Sequence, residues 1–228
     1  MNIITIWDLP LRLFHWSLAV AVSGAMITGQ IGGNLMPWHG YLGQAVVALI
    51  AFRLVWGVVG STTARFTYFL AGPTTIRAYL RGRWLGVGHN PLGALSVLAM
   101  LGLALAQALT GLFANDDIAF QGPLYSLVGS DLSGSLTGVH KALFPALLAI
   151  VVLHLAAIAF YTRIKGENMV RPMITGRKES PHGRSTRGGG PLALLLALAL
   201  AALALWGASG AWLPPPPPPP PADEAPSW

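Results

Sequence analysis

The sequence contains no cysteine among its 228 residues. This absence excludes disulfide bonds, thiolate metal sites, iron–sulfur clusters and covalent attachment of a c-type haem. Charged residues are also scarce, at 10% of the chain, while hydrophobic residues make up 54% and the mean hydropathy is +0.59. Such a composition is typical of an integral membrane protein rather than of a soluble domain.

Five apolar runs are long enough to cross a bilayer, which requires about 20 residues. They do not alternate polar and apolar residues, so helices are expected instead of a membrane β-barrel. The predicted spans are residues 11–31, 40–59, 91–114, 139–161 and 191–213. The fifth is almost pure alanine and leucine, and we expect it to face lipid beside a four-helix core.

The basic residues indicate how the chain crosses the membrane. The net charge of +6 is compatible with nucleic-acid binding, but all of the 14 lysines and arginines except Lys141 fall on one side of the predicted bundle. The positive-inside rule makes that side cytoplasmic and argues against nucleic acid as the partner. We therefore expect a cytoplasmic N-terminus and a C-terminus outside.

Composition divides the chain into four predicted regions. Residues 1–178 form a four-helix domain, 179–190 a flexible basic linker, 191–213 a fifth membrane helix and 214–228 a proline-rich tail. Within the first region, residues 72–84 fit a short surface helix and a solvated basic loop equally well. The loop 115–138 is expected to cap the outer face or to dock a partner.

The histidines carry the first functional signal. His140 and His154 are fourteen residues apart in one predicted helix, which corresponds to about 21 Å of rise and returns to within about 40° of the same face. They therefore share a stripe with Leu147 and cannot bind one metal ion together. At matching depths lie His15, inside a first helix that Asp8 caps, and His39.

Two histidine pairs near opposite faces of an apolar bundle favour haem b as the cofactor. An iron ligated on both axial sides has no open position for oxygen or substrate, so it suits electron transfer. Arg53 lies fourteen residues after His39, at the depth of His154. A haem propionate would compensate its charge, with Arg12 serving a second propionate; snorkelling to headgroups is the equal alternative. Gly43 would let a porphyrin approach the backbone.

Several motifs together resemble the bacterial cytochrome b561 and nickel-hydrogenase cytochrome b family, and the related cytochrome b subunit of formate dehydrogenase. They are "LRLFHW", "WHGYLG", "GHNPLG", the His140 and His154 pair, and "MVRPMITGRK", within about residues 5–178. The resemblance implies a transmembrane electron carrier of the bacterial inner membrane with a periplasmic C-terminus. It also implies an inner haem on His15 and His154 and an outer haem on His39 and His140.

The resemblance further implies the partners. They are membrane quinone and a periplasmic c-type cytochrome or a dehydrogenase or hydrogenase subunit, which makes this chain an electron-transfer subunit rather than a stand-alone enzyme. His89 and Asn90 are the quinone candidates, because an asparagine near the inner haem helps to bind quinone in the formate dehydrogenase subunit. A homodimer is left open.

Alternatives remain at this point. A single-haem carrier follows if the outer pair does not form, since His39 lies close to the interface, and His89 competes with His15 as an inner ligand. A histidine-containing transporter is disfavoured, because its helices are typically broken near the midplane, and these are not. A membrane anchor without cofactor is disfavoured by the paired depths of the histidines.

Overall fold

The computed structural model describes residues 2–70, 72–83, 88, 90–118, 120–180 and 185–214. It is an all-α membrane protein whose five long helices are apolar enough to cross a bilayer. These are α1 (Leu9–Ile31), α2 (Met36–Val59), α5 (Pro91–Leu112), α6 (Ser130–Arg163) and α8 (Gly190–Ser209). The shorter elements are β1 (Asn2–Thr5), α3 (Phe66–Phe69), α4 (Pro73–Leu80), α7 (Val170–Thr175) and β2 (Arg177–Ser180).

The first four long helices form two helical hairpins. One consists of α1 and α2, the other of α5 and α6, and the hairpins pack together mainly through α2 and α5. Among the described residues, α1 and α6 make no extensive backbone contact. The space between these two helices is therefore lined by side chains.

Helix α8 lies outside this arrangement and packs along α2. Its buried residues, Ala197 and Ala208, have small side chains that allow close approach, while most of its leucines are exposed. The helix ends at Ser209, four residues before the predicted end of the span, because Gly210 adopts a left-handed conformation with φ of 68°.

Two predicted helix starts are confirmed. Asp8 caps α1 by accepting a hydrogen bond from the Leu11 amide at 2.7 Å, and Asn90 caps α5 by accepting one from the Gly93 amide at 2.7 Å. In both helices a proline occupies the first turn, where no amide hydrogen is needed. His15 therefore lies inside α1, as expected.

Helix α6 is longer than its apolar run. It begins at Ser130 rather than near residue 139, and its first two turns are polar and carry Asp131. Ser133 anchors this extension by donating a hydrogen bond to the Phe113 carbonyl at 2.8 Å. His140 therefore lies well inside the helix rather than at its end.

The basic segment after α2 contains the surface helix α4. Of the two predictions for residues 72–84, a short surface helix and a solvated loop, the helix is therefore the one that the structure shows.

One side of the bundle is tied together by the chain start and the segment after α6. Strand β1 pairs antiparallel with β2, Thr186 donates to the Thr5 carbonyl, and Ser61 bridges to Gly188. The N-terminus, the end of α2 and the start of α8 therefore share one side, which agrees with an even number of crossings between them. Residues 181–184 of the predicted linker are not described. The described part, residues 179–180 and 185–190, is hydrogen-bonded to β1 and to the residues that follow α2.

The carboxylate of Asp8 organises the same side. Besides capping α1, it accepts hydrogen bonds from the Trp56 indole at 3.0 Å and from the Ser61 hydroxyl. Asp8 also interacts electrostatically with Arg53. One carboxylate thus joins the beginning of α1 to the end of α2 and balances a buried cation.

We predict that Asp8→Ala lowers the free energy of unfolding by about 2–4 kcal/mol, because it removes a helix cap and leaves buried donors unpaired. Thermal unfolding in detergent, followed by circular dichroism, measures the change. Asp8→Asn retains the capping oxygen and is expected to lose less. Equal stability of the alanine variant and the native protein would contradict this role.

Candidate functional site

The stripe predicted on α6 faces the interior of the bundle. Leu147, midway between His140 and His154, is 5% exposed and is one of only two buried residues that α6 contributes. Its neighbours on the opposite face, such as Val152 and Leu153, are exposed to the surroundings of the helix. Both histidines of α6 therefore belong to the inward face of a helix that is otherwise lipid-facing.

His39 of α2 and His140 of α6 meet across the two hairpins. Their ring centroids are 5.9 Å apart and the ring planes are nearly perpendicular, at 88°. A metal–imidazole bond is about 2 Å long, so two imidazoles on opposite sides of one ion have ring centres about 6 Å apart. The observed separation is compatible with a single ion shared by these two rings.

Hydrogen bonds orient both rings in the same way. Nδ1 of His39 lies 2.8 Å from the Ala25 carbonyl, and Nδ1 of His140 lies 2.8 Å from the Gln107 carbonyl. Because a carbonyl can only accept, each Nδ1 carries the proton, and each neutral ring has an unprotonated Nε2. A backbone partner on Nδ1 that leaves Nε2 for the metal is a common arrangement of metal-binding histidines.

Two glycines give the rings access to these carbonyls. Gly29 and Gly111 each lie four residues after the accepting carbonyl, and a Cβ on either would stand 2.8 or 2.9 Å from the facing imidazole. The threonines before them, Thr28 and Thr110, donate back to the same turns of α1 and α5. In each hairpin, therefore, a Thr-Gly pair on one helix forms the surface against which the histidine of the other helix packs.

A cavity of about 310 Å³ contains both histidines. Its size is at the lower end of the range for small-molecule and cofactor sites, about 300–1,000 Å³. Apolar residues of all four helices of the two hairpins line it, among them Met26, Val46, Ala108 and Leu147. Asn115, Asp116 and Phe120 of the loop after α5 also line it, so that loop caps this end of the bundle.

Gly43 contributes an open part of the cavity wall. It lies one turn after His39, lines the cavity, and a Cβ added there would meet nothing within 4 Å. A flat ligand can thus approach the α2 backbone beside the His39 ring. The two imidazoles of His39 and His140, the apolar walls and this open wall together fit a haem. A metal site with three or more His, Cys, Asp or Glu ligands does not occur among the described residues.

His15 of α1 and His154 of α6 are the second pair of membrane histidines; they belong to different hairpins, and both are partly buried. The His15 ring packs edge-on against Trp16, and its buried Nδ1 makes no hydrogen bond. A buried imidazole nitrogen without a partner is costly, so this position is also suited to a bound group.

Arg53 lies on the face of α2 that carries His39, and its side chain is only 2% exposed. The guanidinium stacks on Phe66 of α3 at 4.6 Å and lies 5.8 Å from the Phe69 ring. Its Nη1 is buried without a hydrogen-bond partner. A snorkelling arginine would instead expose its guanidinium to headgroups.

Arg12 joins α1 to the segment after α6. Its Nη1 donates a hydrogen bond to the Ile174 carbonyl of α7, and one turn later the Trp16 indole donates to the Met173 carbonyl at 3.2 Å. The Nε of Arg12 is buried and makes no hydrogen bond. The guanidinium thus has one structural partner and one free donor near His15.

Asn90 participates in a polar cluster at the start of α5 and the end of α6. Its amide Nδ2 lies 3.4 Å from the Tyr161 hydroxyl, which hydrogen-bonds the hydroxyl of Tyr79 on α4. Burial and this hydrogen bond raise the pKa of Tyr79 to about 12, so the phenol stays protonated at neutral pH. Tyr161 lies seven residues after His154 and extends the stripe. His89 lies outside the described residues.

Comparison with known proteins now identifies the family. The family model of prokaryotic cytochrome b561 matches residues 6–176. The chain belongs to this family. Neither a curated protein nor a solved structure matches the chain significantly. Family membership makes it a multi-pass membrane cytochrome of the b type, whose cofactor is haem b and whose role is electron transfer.

The sequence interpretation did not single out Gly29, Gly111 or Gln107, all of which contact the outer histidines. A signal was present, because "AMITG" at the end of α1 and "QALTG" at the end of α5 both end in Thr-Gly. Only the tertiary structure shows that each of these motifs faces a histidine from the other helix of its hairpin.

We predict that Gly29→Ala or Gly111→Ala lowers the affinity of the outer site for haem about tenfold or more, because the new methyl group displaces the facing imidazole. Haem per purified chain, measured as the pyridine haemochrome, gives the result. Gly102→Ala in α5 is the matched control, since nothing lies within 4 Å of its added Cβ. A full haem complement in both test variants would contradict the role of these glycines.

Proposed function

We propose that this cytochrome binds two haems b and carries electrons across the membrane, between the quinone pool and a redox partner on the outer side. His39 and His140 hold the outer haem, and His15 and His154 hold the inner one. When bound, each haem supplies a reversible one-electron couple. The protein chain orients the haems, surrounds them with apolar residues and separates them along the membrane normal.

The observation that carries this proposal is the arrangement of His39 and His140. The two rings face one cavity at 5.9 Å, each with Nδ1 on a backbone carbonyl of its own hairpin. These bonds would leave Nε2 of each ring as the nitrogen that holds a haem iron, with both ligands supplied by this chain. Such a site supports electron transfer and does not support oxygenation.

Arg53 and Arg12 are assigned to the propionates of the inner haem. Both guanidinium groups have a buried nitrogen without a hydrogen-bond partner, and both lie at the end of the bundle that holds His15. A buried cation of this kind is stabilised by an anion that can accept its free hydrogens. Gly43 is assigned to the close approach of the outer porphyrin.

The helical spacing defines a direct electron path. His140 and His154 are separated by two heptads of α6, or about 21 Å of rise, with buried Leu147 between them. Haems held by the two histidine pairs would supply one-electron carriers at both ends of this apolar interior. Electrons enter or leave at the inner end through quinone near His89 and Asn90, and at the outer end through a c-type cytochrome or a dehydrogenase or hydrogenase subunit.

The first test is haem stoichiometry. We expect two haems b per chain in the purified protein, seen as the pyridine haemochrome and in the reduced-minus-oxidised spectrum. His140→Ala should remove the outer haem and His154→Ala the inner one, so that each variant keeps half of the haem. Retention of both haems in either variant would refute the pairing, and one haem in the native protein would make it a single-haem carrier.

The quinone assignment has a separate test. Asn90 caps α5, so Asn90→Ser, which retains a capping oxygen but loses the amide donors, is combined with His89→Gln. We expect reduction of the haems by a quinol analogue to slow about tenfold, the equivalent of about 1.4 kcal/mol in the activation free energy, at unchanged haem content. An unchanged rate in the double variant would sink the assignment.

A further inference from the structure

The two halves of the outer site share the carbonyl and the glycine, and they differ most in the side chain of the residue that supplies the carbonyl. His39 rests on the carbonyl of Ala25, and His140 rests on the carbonyl of Gln107, each four residues before its glycine. The accepting residue has a methyl side chain in α1 and a carboxamide in α5.

The Gln107 side chain turns back onto the ring that its own carbonyl holds. Its Nε2 lies 3.2 Å from Nε2 of His140. Because Nδ1 of His140 donates to the carbonyl, Nε2 of the neutral ring is an acceptor, and the amide must donate to it. In the part of the chain that the structure describes, Nε2 of His39 makes no such bond.

Gln107 therefore covers the one lone pair through which His140 can bind a metal ion. Any ion at that nitrogen has to displace the amide. The oxygen of the same amide, Oε1 of Gln107, is buried beside the cavity and has no hydrogen-bond partner. When an ion displaces the amide from His140, the Gln107 side chain therefore has no other hydrogen bond that offsets the lost one.

We propose that Gln107 competes with the haem iron for Nε2 of His140, and so makes His140 the weaker and displaceable axial ligand of the outer haem. Beside His39 the position of Gln107 is occupied by Ala25, whose methyl side chain cannot donate a hydrogen bond. His39 would therefore bind the iron without this competition. The inference rests on the proposed outer haem site. It assigns Gln107 as a positioning residue that adjusts how strongly the outer haem is held.

The effect of removing the competitor can be stated as a change in affinity. Loss of one neutral hydrogen bond from the unloaded protein should tighten haem binding about two- to thirteenfold. Gln107→Met keeps the length of the side chain without the donor, and Gln107→Ala gives this position the same side chain as Ala25. The reciprocal change, Ala25→Gln, places an amide beside His39 and should weaken binding.

The experiment is a hemin titration of the full chain in detergent, produced under haem limitation and carrying His154→Ala so that only the outer site binds. Gln44→Met on α2, which does not line the cavity, is the matched control and should leave the affinity unchanged. Tighter binding in both Gln107 variants and weaker binding in Ala25→Gln support the proposal. Unchanged or weaker binding in the Gln107 variants overturns it. Damage to the fold cannot imitate the expected result, because such damage weakens binding in every variant.

A second readout does not depend on haem. In ¹⁵N spectra of the histidine side chains without hemin, His140 should show a protonated Nδ1, and its Nε2 resonance should shift in Gln107→Met but not in Gln44→Met. An unshifted Nε2 would overturn the contact itself. If the parent protein binds no hemin while this shift is present, the proposed haem site fails and the Gln107 contact stands.

Discussion

The structure depends on how imidazole rings are satisfied inside an apolar bundle. No water is available there to solvate Nδ1, so each outer histidine uses a backbone carbonyl that already belongs to a helix. This requires an opening in the helix surface four residues later, which Gly29 and Gly111 provide. The same bond selects the tautomer in which Nε2 is unprotonated. Ligand identity, ring orientation and helix packing thus follow from one constraint.

At the end of the bundle that holds Asp8, the main constraint is the burial of a cation, Arg53, among apolar helices. Asp8 balances Arg53 through space while its oxygens hold α1 and α2 together, and Phe66 covers the guanidinium. Because the carboxylate is committed to capping and to Trp56 and Ser61, Arg53 keeps a free donor. Helix stability and charge balance are therefore coupled at this end of the bundle.

Local sequence patterns predicted much of this architecture. The spans follow from apolar length, the starts of α1 and α5 from Asp8 and Asn90, and the inward stripe from the spacing of His140, Leu147 and His154. The outer extension of α6 was missed because its first turns are polar. The pairing of β1 with β2 and the position of Gln107 against His140 join residues far apart in sequence, so no local pattern reports them. The haem ligands, the arginine roles and the quinone residues stay predictions.

His39 and His140 lie on different hairpins, and each is hydrogen-bonded to a carbonyl of its own hairpin. Each hairpin therefore carries half of this cavity, which is complete only where the two hairpins pack together. A group bound between the two hairpins would stabilise the folded state, by an amount that grows with the logarithm of its free concentration above the dissociation constant. The folded fraction of such a protein would therefore depend on the supply of its cofactor.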